Sequence, residues 1–177
     1  MAFSIRFAHA PDLSEIEKVE NAADQLLIDL LRPERWEPAP TGESRIREPG
    51  YILVAETGHA AVAGFVHVLE TEDGCHLEQL SVAPAHMRQG IGRALVTAAM
   101  REAAERGCPT MSLRTYSDVP WNAPFYQTMG FAERDPATPF QRALVAVEES
   151  LDLDRYGRRV LMIAVPSEDS EGTAHRT

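Results

Sequence analysis

Apolar and polar positions change period along this chain, and each change marks an element. Phe3, Ile5 and Phe7 alternate with polar neighbours over residues 3–8, the pattern of an edge strand. After Pro11-Asp12-Leu13 the spacing widens to three and four: Ile16, Val19, Ala23, Leu26, Leu27 and Leu30 line one face of an expected helix. Pro33, Pro38, Pro40 and Gly42 break it, leaving residues 33–50 irregular. A loop this long in a compact domain is usually functional or mobile, and whether it gates a site stays open. Residues 51–56 and 61–70 read as a hairpin around Thr57-Gly58-His59, and Asp73-Gly74 turns into a fourth strand, 75–82. Residues 90–106 form a helix with Leu95, Ala99 and Ala103 inward, stopped by Gly107 and Pro109. A strand over 110–116, a short helix over 122–129 ended by Gly130, and a brief strand over 131–134 follow. Thr138-Pro139 caps a helix reaching residue 151, and 159–165 is the last strand. That strand could offer an exposed edge for pairing into a homodimer.

Strands first and last around interspersed helices give an α+β class, a mixed sheet with helices on both faces. With 177 residues the chain suits one domain, 1–165, followed by a polar, acidic tail, 166–177, expected to be disordered. Two cysteines, Cys75 and Cys108, are too few for a disulfide framework and lack metal spacing, so a reducing cytoplasm is expected. The scattered histidines His9, His59, His67, His86 and His175 suggest no metal. No apolar run approaches a membrane span. A net charge of −10 argues against nucleic acid as a partner and fits an amine acceptor weakly.

The most informative segment is residues 85–95, Ala-His-Met-Arg-Gln-Gly-Ile-Gly-Arg-Ala-Leu, at a strand-to-helix junction. Gly90 and Gly92 let the backbone approach a ligand and leave the first helical amides unpaired. With the helix dipole they make an anion site, to which Arg88 and Arg93 add charge. A Walker A loop needs Lys-Ser/Thr where Arg93-Ala94 stands, and a dinucleotide fingerprint needs a small residue where Leu95 stands. The pattern that remains resembles the pyrophosphate loop of the GCN5-related N-acetyltransferases (GNAT superfamily), Q/R-x-x-G-x-G/A. Met87 takes the place of the usual Gln or Arg, which costs one side chain in a loop that binds mainly through its backbone.

Residues 121–131, Trp-Asn-Ala-Pro-Phe-Tyr-Gln-Thr-Met-Gly-Phe, are similar to that family's later signature: an Asn, an aromatic-Tyr pair, then Gly-Phe. Two motifs in the right order identify a resemblance covering residues 3–165. It implies a mostly antiparallel sheet of about seven strands in which two parallel neighbours, 75–82 and 110–116, splay apart to admit acetyl-coenzyme A. The cofactor contacts it implies are Leu80, Ser81, Val82, Met87, Arg88, Gln89, Gly90, Ile91, Gly92, Arg93, Asn122, Phe125 and Tyr126. Asn122 stands closer to Tyr126 than in many members, so it either contacts pantetheine or caps the short helix.

Acyl transfer from a thioester to an amine requires deprotonation of the amine, stabilisation of the carbonyl oxygen as it gains charge, and stabilisation of the departing thiolate. Tyr126 is the residue implied for the thiolate. A Tyr near pKa ~10 against a thiol near ~8.5 makes full proton transfer uphill by roughly 2 kcal/mol, so a donated hydrogen bond suffices. Glu78 is the candidate base, with His76 assisting; strict alternation places His76, Glu78 and Leu80 on one face. A backbone amide near Leu80 or Ser81 would serve the carbonyl oxygen. Asp24, Trp36, Arg114, Asp118 and Trp121 are the acceptor-side candidates. Neither cysteine is placed to act as an acyl carrier, so transfer is expected directly within a ternary complex. The expected activity is acetylation of a primary amine on a small molecule, peptide or protein. The rival readings are an acyl-coenzyme A-binding module without catalysis and a partner-binding domain.

Overall fold

The period-two segments form strands. A computed structural model describes residues 2–58 and 61–167. Its strands are β1 (Phe3–Phe7), β2 (Gly50–Thr57), β3 (Val62–Thr71), β4 (Gly74–Val82), β5 (Met111–Tyr116), β6 (Ala132–Glu133) and β7 (Arg159–Ala164). They join in one sheet, ordered β1-β2-β3-β4-β5-β7-β6, antiparallel throughout except for β4 against β5. The helices are α1 (Leu13–Leu31), α2 (Gly42–Arg45), α3 (Ile91–Glu105), α4 (Ala123–Gln127) and α5 (Pro139–Ser150). This is the α+β class expected, with residues 59, 60 and 168–177, which include His59, His175 and most of the acidic tail, outside the described part.

Each face of the sheet has its own core. On one side Tyr51, Leu53, Ala55, Val66 and Val68 pack against Leu95, Val96, Ala99 and Ala103 of α3. On the other, Ile52, Val54, Val62 and Phe65 meet Leu13, Ile16 and Val19 of α1. The alternating residues of β2 divide between the two, as a strand covered on both faces requires.

Two features of β4 and β5 create the site. Their parallel pairing lasts two residues, Cys75 opposite Met111 and His76 opposite Ser112, after which the strands part while running on to Val82 and Tyr116. In addition β4 bulges: Val68 of β3 faces Leu77 while its neighbour His67 faces Gln79, which leaves Glu78 as the extra residue. The bulge corrects the strict alternation expected from sequence. His76 and Glu78 do share a face, but Leu80 packs against the α3 core.

Four other expectations change. Cys75 and Cys108 form a disulfide, with Cα atoms 5.8 Å apart, which removes the composition argument for a reducing compartment. The last strand is not an edge, because β7 lies between β5 and β6. The apolar stripe of α1 enters the core only as far along as Val19, with Leu13 and Ile16; Leu26 and Leu30 are exposed while the carboxylate-bearing Glu20 is buried. Finally, the proline-rich stretch holds the short helix α2, whose N-cap Thr41 accepts from the Ser44 amide. No helix among the described residues is long and apolar enough to cross a membrane.

Candidate active site

The loop before α3 offers amides rather than side chains. Gly90 is the N-cap of α3 with φ 82°, and Arg88 takes φ 60°, so two left-handed residues alternate with others. Successive amides in such a turn converge into a concave anion cradle. None of the amides from Arg88 to Arg93 bonds to another backbone group among the described residues. Gly92 is not required by packing: a Cβ there would sit 3.7 Å from Val82 Cγ2 and 3.8 Å from Phe125 Cζ, ordinary contacts. The end of β4, the start of α3 and α4 thus meet around one backbone position that the protein leaves bare. Ile91 turns its side chain into the core, so only its amide faces the cradle. Arg93 is not free to hold an anion, because its guanidinium donates to Thr128 Oγ1 at 2.8 Å and braces α3 against α4. Gln89 donates to the Ala85 carbonyl at 3.3 Å, Met87 is half-buried, and Arg88 is exposed.

Across the splay, Tyr126 of α4 is 7 % exposed between Phe125 and Phe131, whose rings meet it edge-on at 5.1 and 5.7 Å. Burial pushes its hydroxyl well above the ordinary tyrosine range, so it keeps its proton. Asn122 is the N-cap of α4, yet its side chain caps nothing; its carbonyl accepts from the Tyr126 amide at 3.1 Å. The side chains of Leu80 and Val82 pack against the core beside Phe125, and the buried Ser81 Oγ accepts from Gln79 at 2.9 Å.

The opposite face carries the acid–base groups. His76 is 3 % exposed; its Nδ1 lies 2.9 Å from Ser112 Oγ, its Nε2 3.5 Å from Glu78 Oε2, and its ring meets Phe140 edge-on at 5.2 Å. Burial lowers its pKa to about 4, opposed by Glu148 and aided by Arg114 and His67, so the imidazole is neutral near pH 7. The Glu78 carboxylate keeps one side open to solvent, but the surrounding walls desolvate it. That raises its pKa; Arg45 opposes the rise, and Glu48 and Glu148 add to it.

The acceptor-side candidates divide. Asp24 and Trp36 come together, the indole Nε1 donating to Asp24 Oδ2 at 3.2 Å. Arg114 is committed instead to Glu148 of α5, its Nε donating at 3.0 Å, and Arg159 binds the other oxygen of the same carboxylate at 2.5 Å. Asp118 accepts from Ser117 Oγ, and Trp121 is exposed on the β5–α4 connection. Sequence reasoning missed a buried cluster under α1. There Glu20 accepts a two-point ion pair from Arg45 at 2.6 and 2.8 Å, and Arg45 Nη1 lies 3.1 Å from His67 Nδ1. Burial pushes Glu20 up to about 7 against the pull of Arg45, and lowers His67 to about 4. One signal for Glu20 was available, a carboxylate next to Val19 on the apolar stripe. For Arg45, inside an irregular stretch, there was none.

A two-strand splay, an amide cradle at its mouth, a buried tyrosine on α4 and a carboxylate on β4 make up the candidate site. The model of the acetyltransferase (GNAT) family matches residues 15–131, and the chain belongs to that family. Solved structures with the same fold include the ribosomal-protein-S18-alanine N-acetyltransferase of Escherichia coli. It is 20 % identical with TM-score 0.64, over 99 % of this chain and 100 % of that one. Another is the PaiA N-acetyltransferase of Thermoplasma acidophilum in complex with coenzyme A, 18 % identical with TM-score 0.67, over 93 % and 99 %.

Proposed function

We propose that this chain transfers an acetyl group from acetyl-coenzyme A to a primary amine, directly within a ternary complex. The observation that carries the reading is the assembly of Val82, Gly92 and Phe125 around a bare backbone position beside the splay. The amide cradle fits a pyrophosphate, and the parting strands leave their backbone free for an extended arm. Acetyl-coenzyme A, when bound, supplies the activated acyl group and a thiol as leaving group.

The chain's own residues then divide the work. Glu78 takes the proton of the incoming ammonium, directly or through water, and its raised pKa narrows the gap to an amine. Tyr126 keeps its proton on the hydroxyl oxygen and donates a hydrogen bond toward the departing sulfur. Just past the bulge at Glu78, a backbone amide near Leu80 or Ser81 would donate to the carbonyl oxygen as it gains charge. The disulfide ties up both cysteines, which favours direct transfer over an acyl-cysteine route. An amine acceptor would approach over the α1 and α5 face. Near His76, a mostly apolar cavity of about 470 Å³ is lined by Pro49, Leu69 and Phe140, with the carboxylates of Glu48, Glu72 and Asp73 on its wall to suit a cation.

Calorimetric titration with acetyl-coenzyme A, with NAD⁺ as control, tests the cofactor half. Saturable binding of the acyl cofactor alone is expected, followed by thiol release in an amine screen. Absence of binding would remove the reading. Binding without thiol release for any amine would favour a cofactor-sensing module.

A further inference from the structure

Among the buried polar side chains that the mechanism above does not use, one touches the group beside the proposed base. Ser112 of β5 is 4 % exposed and pairs with His76 at the last rung before β4 and β5 part. Its hydroxyl lies 2.9 Å from His76 Nδ1, and the other ring nitrogen lies 3.5 Å from the Glu78 carboxylate. A neutral imidazole carries one N–H and one lone pair. An ionised carboxylate only accepts, so the N–H belongs on Nε2, facing Glu78. Nδ1 is then a lone pair, and its neighbour must donate. A serine hydroxyl can.

We propose that Ser112 is a positioning residue, donating to His76 Nδ1 and fixing the tautomer that presents an Nε2–H to Glu78. The inference rests on the reading of Glu78 as the base, and it adds how that base is held ionised in a desolvating cleft. The other charges facing this pair come from every neighbouring element: Glu148 of α5, Arg114 of β5, His67 of β3, Arg45 of α2, Glu48 after it and Glu20 of α1. The one hydrogen bond given for the Ser112 side chain is to His76, and the variants are compared on that contact.

Without the hydroxyl, the Nδ1–H tautomer becomes competitive and turns a lone pair toward Glu78, which favours its protonated form. The experiment uses the full chain as wild type, Ser112→Ala and Ser112→Thr, with His76→Gln to assign the ring. Long-range nitrogen–proton NMR is expected to show Nδ1 unprotonated in the wild type and in Ser112→Thr, and a tautomer mixture in Ser112→Ala. With phenethylamine and lysine ethyl ester as amine probes, the acidic limb of kcat/KM should move up by about one pH unit in Ser112→Ala. KM for acetyl-coenzyme A should be unchanged, and Ser112→Thr should restore the profile. A protonated Nδ1 in the wild type, or a Ser112→Ala spectrum with the wild-type tautomer, would overturn the proposal. Failure to bind acetyl-coenzyme A would instead count against the acyl-transfer reading, and the nitrogen spectra decide the tautomer independently of it.

Discussion

In the proposed mechanism, burial sets opposite roles for two ionisable groups, Tyr126 and Glu78. Both are pushed up by desolvation, which keeps the phenol a donor and makes the carboxylate a better base. Because burial moves Tyr126 away from the thiol range, complete proton transfer becomes harder, and in the proposed mechanism hydrogen-bond donation would carry the effect. Tyr126→Phe should therefore lower kcat by roughly 10- to 100-fold with the affinity for acetyl-coenzyme A nearly unchanged; steady-state kinetics with calorimetry separates the two, and an unaltered kcat would take the hydroxyl out of the chemistry. His76 supports a prediction about stability. Its native pKa of about 4 lies below the unfolded 6.5, so the unfolded chain binds the extra proton between those values. The stability this neutral ring contributes is fully present above pH 6.5 and is lost as pH falls toward 4. Against His76→Gln, urea denaturation should show the wild type losing about 2–3 kcal/mol more between pH 7 and 4.5. Equal losses would mean that the ring titrates normally in the fold.

Elements whose own sequence period dictates them were legible; elements set by a neighbour were not. The amphipathic spacing of Leu95, Ala99 and Ala103 gave α3, all three fully buried, and Thr138 with Gln141 forms the capping box that starts α5. The bulge at Glu78 left no trace in composition, since it exists only in the register of β4 against β3. For the same reason Leu80 was assigned to the wrong face, although Glu78 and His76 were rightly placed together. The four-residue α2 is too short for a period, and with it the burial of Arg45 went unread. Tertiary contact alone pairs Ser112 with His76. The α3 loop was legible because its glycines answer a local demand, a left-handed φ at Gly90 and a bare Cα at Gly92. Gly92→Glu should fold, since a Cβ there has room, yet place a carboxylate beside the amide cradle. Acetyl-coenzyme A affinity is expected to fall by roughly 100-fold, near 3 kcal/mol, with the melting temperature little changed. Unchanged affinity would separate the cradle from the cofactor.

At the scale of the molecule, the sheet divides two tasks between its faces. The α3 face holds the amide cradle and the larger apolar core, while the α1 and α5 face holds the carboxylates, the histidines and the paired arginines. The parting of β4 and β5 connects them, and it depends on a fixed point below. The Cys75–Cys108 bond supplies one, tying the start of β4 to the segment after α3 one residue from the His76–Ser112 rung. It closes a loop spanning a sequence separation of 33, which includes the whole cradle and α3. Chain-entropy arguments give such a cross-link about 3–4 kcal/mol relative to the reduced unfolded chain. For a domain of this size that corresponds to a melting shift of roughly 10 °C. Reduction under native conditions should lower the melting temperature by that order, and Cys108→Ser should match the reduced protein and lose all sensitivity to reductant. Because the bond lies at the closed end of the splay, reduction should also loosen the rung above it, and amide exchange at His76 and Ser112 should quicken before exchange in β2 and β3 does. A melting temperature indifferent to reductant would mean that the hydrogen-bonded rung alone, through the Cys75 amide on the Thr110 carbonyl at 2.9 Å, holds the root of the site closed.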